Sequence, residues 1–198
     1  MSEPLFLAST NEGKRAEFAA LLAERGLEIG PSLAFPEVDE DAPDYLGNAA
    51  LKAEALRDEL VRLGSEATVF ADDSGLEVDA LDGAPGVRSA RYGGLTLTWP
   101  QRRARLLAAI AAVPTPQRSA RFHCALLAID AEGRRYVGFG ETRGSIALAE
   151  RGDTGFGYDP LFLPEGEART FAEMSAVEKA RTSHRARALH ALLAAMGR

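Results

Sequence analysis

Cysteine is nearly absent from this 198-residue chain. Cys124 alone excludes an internal disulfide and any multi-cysteine metal cage. Set in the run Phe122-His123-Cys124-Ala125-Leu126-Leu127, it reads as a buried structural thiol. No apolar stretch approaches the ~20 residues of a membrane-spanning helix. The opening Met1-Ser2-Glu3-Pro4-Leu5 lacks the basic n-region of a signal peptide, so a cytoplasmic location is expected. A basic excess is missing too. The net charge of −6 argues against nucleic acid or an anionic membrane as a partner. A small polyanion would need cations concentrated in a local pocket, a metal ion, or both. Lysine is scarce: of 23 basic residues only Lys14, Lys52 and Lys179 are not arginine. In such a background, a retained lysine marks a position that wants a compact, mobile ammonium instead of a planar fork.

Hydrophobic residues at 46% and charged residues at 26% are the proportions of a packed chain. No linker, repeat or low-complexity tract divides residues 1–198, which read as one α/β unit. Residues 4–9 read as a short strand, followed by a helix with Phe18, Leu21 and Leu22 on its core face and Gly26 at its end. Leu27-Glu28-Ile29 reads as a second strand, and proline and acid mark 31–44 as loop. A longer helix carries the stripe Leu46, Ala49, Ala53, Leu56, Leu60 and Leu63, in steps of three and four. Asn48 and Lys52, four apart, lie on its other face. Thr68 to Ala71 is a strand that leads into two aspartates. Thr98 and Gln101 resemble a capping box opening a helix to about Ala112. Strands are expected near 120–130 and 135–146, a glycine-bearing loop at 151–160, and a terminal helix turning Leu189, Leu192, Leu193 and Met196 inward.

Four segments carry chemistry. Ser9-Thr10-Asn11-Glu12-Gly13-Lys14 stands at a strand-to-helix junction, where free N–H groups and the positive helix end suit phosphate. It lacks the spacing of a P-loop. Asp72-Asp73-Ser74-Gly75 closes an apolar strand and admits two readings, an Asp-Ser-Gly turn or a carboxylate that holds Mg²⁺ or activates water. The acidic loop Glu37-Val38-Asp39-Glu40-Asp41 offers a second ligand. Phe156-Gly157-Tyr158-Asp159 is either a turn with packed aromatics or a base reader. In the second case the ring stacks and the carboxylate, an acceptor, selects a purine with a protonated ring nitrogen. Lys179, Ser183, His184 and Arg185 would point three ways on one straight helix, so a break is predicted near Thr182–Ser183, with His184 and Arg185 at a new helix start.

In chain order these segments resemble the inosine triphosphate pyrophosphatase family, the enzymes acting on non-standard purine nucleotides. The likeness runs nearly end to end, through residues 9–14, Asn48-Ala49-Ala50-Leu51-Lys52-Ala53, Ala71-Asp72-Asp73-Ser74-Gly75-Leu76, Gly83-Ala84-Pro85-Gly86, Ser89-Ala90-Arg91-Tyr92, Arg121-Phe122-His123-Cys124, Phe156-Gly157-Tyr158-Asp159-Pro160, Glu178-Lys179 and Ser183-His184-Arg185. The resemblance implies an α/β fold with a long central mixed β-sheet flanked by helices, and two lobes with the active-site cleft between them. It implies Mg²⁺-dependent hydrolysis of ITP, dITP and XTP to monophosphate and pyrophosphate, in a homodimer. By position, Ser9, Thr10, Asn11, Glu12, Gly13, Lys14 and Lys52 would hold phosphates, and Asp73 would be the metal-associated base. Ser74 would touch substrate, and Phe156, Gly157, Tyr158, Asp159, Lys179, His184 and Arg185 would close around base and phosphates. Glu40 would be the second metal ligand. The stretch Ala42-Pro43-Asp44-Tyr45-Leu46-Gly47 departs from the family pattern, which leaves Asp39 and Glu37 as alternatives to Glu40.

Overall fold

Five strands and five α-helices carry residues 4–198, the part of the chain described in a computed structural model. The strands are β1 (Phe6–Leu7), β2 (Val69–Val78), β3 (Ser119–Ile129), β4 (Arg135–Ile146) and β5 (Phe162–Pro164), hydrogen-bonded in that order as one sheet. β1 runs parallel to β2, with Phe6 opposite Val69, and β4 runs antiparallel to β5, with Ser145 opposite Leu163. The sheet is therefore mixed. The helices are α1 (Glu12–Ala23), α2 (Tyr45–Arg62), α3 (Trp99–Ala109), α4 (Ala176–Thr182) and α5 (His184–Ala195).

The helices begin where side chains can take the first free N–H groups. Asn11 accepts from Lys14 N–H ahead of α1, and Asp44 accepts from Gly47 N–H ahead of α2. Thr98 with Gln101 and Ser175 with Glu178 form the capping boxes of α3 and α4. The predicted break is present: Ser183 is extended (φ −69°, ψ 146°) between α4 and α5.

Two compact units divide the chain. The first comprises residues up to Asp73, Cys124–Gly140 and Arg185–Arg198; the second comprises Ser74–His123 and Glu141–His184. Each has its own apolar core. In the first, α2 lays Ala49, Ala53, Leu56 and Leu60 against Val69 and Ala71 of β2 and Leu127 and Ile129 of β3. In the second, Leu106 and Ile110 pack with Leu76, Phe122, Phe162 and Phe171. Each buried valine, leucine, isoleucine or phenylalanine among these contributes roughly 1.5–3 kcal/mol by leaving water.

Several expectations need correction. Leu27-Glu28-Ile29 is not a strand: only Ile29 bridges, to Leu5. The two aspartates do not close a strand, because β2 continues through Ser74 and Gly75 to Val78. Leu63 lies past the end of α2 and is 57% exposed, while Asn48 and Lys52 are buried. α3 stops at Ala109, short of Ala112. Pro164 closes β5, a strand too short to show a period-2 pattern. Among the described residues no helix is long and apolar enough to cross a membrane.

Candidate active site

Because β2 runs through both aspartates, alternation sends Asp72 and Asp73 to opposite faces of the sheet. In the first unit Asp72 is fully buried and meets Lys14 Nζ at 2.9 Å and Arg185 Nε at 3.7 Å. Burial pushes its carboxyl pKa up, but Lys14, Arg185 and Lys52 together hold it down at about 2. Arg185 also reaches Glu17 at 3.2 Å. Asp73 accepts from Asn48 Nδ2 at 3.0 Å and lies 3.7 Å from Lys52 Nζ. Burial raises its pKa above the usual carboxylate value, despite the opposing pull of Lys52, Lys14 and Asn48.

Asn48 and Lys52 are one turn apart on α2, which is why both reach the same aspartate. Asn48 also accepts from Ala42 N–H at 3.0 Å and so ties the acidic loop to the helix. Lys52 stands 3.3 Å from Glu40. Burial alone would lower the Lys52 pKa, but Asp72, Asp73 and Glu40 raise it, so the ammonium stays charged. Glu37 and Asp39 are exposed.

Lys52 is thus a cation held by the two carboxylates proposed to face a metal. Mg²⁺, a hard ion, takes one or two carboxylates and completes its shell with water and phosphate oxygens. Among the described residues no group of three or more His, Cys, Asp or Glu forms a complete protein cage. Asp73 and Glu40 are the two carboxylates that meet at Lys52.

The residues 9–14 stand as expected at the junction of β1 and α1. Ser9 Oγ accepts from Asn11 N–H at 3.2 Å and Asn11 caps the helix. Thr10 and Glu12 are exposed, and Gly13 is half-buried. Ser74 follows Asp73 on β2, half-buried, in the second unit.

In the second unit, Asp159 Oδ2 takes the Lys179 ammonium at 2.8 Å and accepts from Phe156 N–H at 2.9 Å. Lys179 Nζ lies 5.0 Å from the Phe156 ring centre and 5.4 Å from that of Phe171. Gly157 and Tyr158 are buried; Trp99 meets Tyr158 edge-on at 5.4 Å, and Arg103 donates to Gly157 O at 3.0 Å. His184 is fully buried, its ring flat on Phe122 at 4.6 Å and 8°.

All three lysines therefore end on buried carboxylates: Lys14 on Asp72, Lys52 on Asp73, Lys179 on Asp159. Lys179 lies with Phe156 and Asp159 in the second unit, while Lys14 and Lys52 lie in the first. Sequence reading passed over Asn48, Glu17, Phe122 and Phe171 as site residues. For Asn48 a signal existed, its four-residue spacing from Lys52; Glu17 and Phe122 meet their partners across distant segments.

The Ham1 family model matches residues 5–195. A dITP/XTP pyrophosphatase of Opitutus terrae is 44% identical, covering 98% of this chain and 98% of that protein. One of Geobacillus kaustophilus is 47% identical, covering 93% and 90%. Among solved structures, a HAM1 protein from Coxiella burnetii aligns with a TM-score of 0.83 at 34% identity, over 99% of both chains.

Proposed function

The chain belongs to the Ham1 family, and from that premise we propose that it hydrolyses non-standard purine nucleoside triphosphates (ITP, dITP and XTP) to the monophosphate and pyrophosphate. The observation that carries this reading is the buried Asp73 carboxylate held by Asn48 and Lys52, with Glu40 on the same ammonium. The chain works as one catalytic domain, in the cytoplasm, as a homodimer. Neither nucleic acid nor a membrane is a partner, in keeping with its negative charge.

Asp73 orients a water and accepts its proton as the water oxygen bonds to phosphorus at the α–β linkage. The anhydride bond breaks, and nucleoside monophosphate and pyrophosphate leave. Its raised pKa brings the carboxylate closer to the range where a general base works well. Lys14 and Lys52 offset charge on the phosphates, the electrostatic help that phosphoryl transfer favours. The Ser9–Gly13 turn supplies N–H groups at the α1 start. Asp73 and Glu40 would hold Mg²⁺, which would add electrophilic stabilisation of the phosphate oxygens.

Phe156, Gly157, Tyr158, Asp159, Lys179 and His184 form the base-reading part, with Ser74 and Arg185 also touching substrate. Asp159 serves it by orienting Lys179 and the Phe156 backbone, since its Oδ2 is engaged by both. Pyrophosphate release from ITP, dITP, XTP, dUTP and GTP, with and without Mg²⁺, tests the whole reading. The three deaminated purines should be turned over fastest and only with the metal. Equal or faster turnover of dUTP or GTP would point to a different pyrophosphatase, and no turnover to a nucleotide sensor.

A further inference from the structure

Phe171 lies in a short helical turn, Phe171–Glu173, and is fully buried in the core of the second unit. It does more there than fill space. Its ring lies 5.4 Å from Lys179 Nζ, and Phe156 supplies a second ring at 5.0 Å. The Asp159 carboxylate, 2.8 Å away, completes a cage of two aromatic rings and one anion around a single ammonium that is itself buried. An ammonium near an aromatic face is attracted by the ring quadrupole, and more so when water is excluded. Four rotatable side-chain bonds otherwise leave a lysine head free to wander. Phe171 also packs beside Phe162, at 5.1 Å between centroids, and Phe122, at 6.1 Å.

We propose that Phe171 is a positioning residue for base recognition: with Phe156 and Asp159 it fixes the Lys179 ammonium as one directed donor. A directed donor favours a purine with an acceptor oxygen at the ring position where adenine carries an amino group. This rests on the reading of Lys179 as a base-contacting residue. Phe171 and Phe162 are both fully buried in one cluster, and of these two rings Phe171 is the one that meets the lysine ammonium. Phe162→Leu keeps an apolar side chain beside Phe171 and leaves the rings around the ammonium in place, so it is the control for core damage.

The experiment compares wild type, Phe171→Leu, Phe171→Tyr and Phe162→Leu by two measurements. First, side-chain NMR of the lysines, simplified because the chain has three, reads the ring-current shift of the Lys179 ε-methylene. That shift should shrink in Phe171→Leu and persist in Phe171→Tyr and Phe162→Leu. Second, the ratio of kcat/KM for ITP over ATP should fall about tenfold in Phe171→Leu, mostly through KM for ITP. Phe171→Tyr should restore it, and Phe162→Leu should keep it despite a similar drop in melting temperature. An unchanged ring-current shift in Phe171→Leu, or equal loss of selectivity in both leucine variants, overturns the proposal. If wild type turns over no ITP, the functional reading fails, while the NMR arm still decides whether Phe171 holds the lysine.

Discussion

Alternation along β2 places two adjacent carboxylates in different chemical surroundings. Asp72 meets Lys14 and Arg185 and titrates low; Asp73 meets Asn48 and Lys52 and titrates high. A carboxylate with a raised folded-state pKa is destabilised by folding while ionised. Asp73→Asn should therefore cut turnover by about 10³-fold or more while leaving the melting temperature equal to or above that of wild type. Pyrophosphate-release kinetics and thermal melts check both halves. The opposite sign holds for Asp72. Its pKa falls from the ordinary 3.8 to about 2, so its contribution to stability is complete above the unfolded value and is lost as pH falls through the folded one. Asp72→Asn should destabilise the protein by roughly 3 kcal/mol at neutral pH, because Lys14 and Arg185 lose a buried counter-charge. Denaturant titrations should show that gap narrowing as pH falls from about 5 towards 2.

At the scale of elements, function depends on where helices and loops stop. α4 has seven residues and carries Lys179, and its start depends on the Ser175–Glu178 capping box. Ser175→Ala should cost about 1 kcal/mol, a fall of about 2–4 °C in the melting temperature of a chain this long. The loop before β5 is held as tightly. Gly152 has φ +80°, and a Cβ there would come 2.3 Å from the Ala172 carbonyl. Gly152→Ala combines left-handed backbone strain with a backbone clash, so a loss of at least about 2 kcal/mol is expected by calorimetry. The break at Ser183 has its own consequence: one helix ends on Lys179's side of it, and a new one starts with His184 and Arg185.

For the molecule as a whole, a cation already stands with the carboxylates proposed for the metal. Chelation should abolish turnover and Mg²⁺ restore it, while the melting temperature of the nucleotide-free protein should move little, because Lys52 already offsets Glu40 and Asp73. Lys52→Ala removes that offset. The variant should melt lower than wild type, and Mg²⁺ should raise its melting temperature more than it raises that of wild type, since a ligand bound only by the native state stabilises it by mass action. Melts with and without the ion, on both proteins, measure this.

Much was legible in the linear chain because it depends on local rules. Capping residues placed the start of α3, apolar spacing marked the core faces of α1 and α2, and the shortage of lysine singled out three positions that all meet buried carboxylates. The double aspartate announced itself too, but its geometry did not. Whether Asp72 and Asp73 sit in a turn or in a strand depends on β2 finding neighbours in β1 and β3, and those lie more than forty residues away on either side. The same holds for the partners. Asn48 on Asp73, Glu17 on Arg185 and Phe122 on His184 are pairings the backbone makes by folding distant segments together. Sequence alone singled out the candidate side chains, since residue type and local spacing suffice for that. Tertiary structure decided which carboxylate each cation neutralises, because charge and ring interactions act over a few ångströms of space and are blind to distance along the chain.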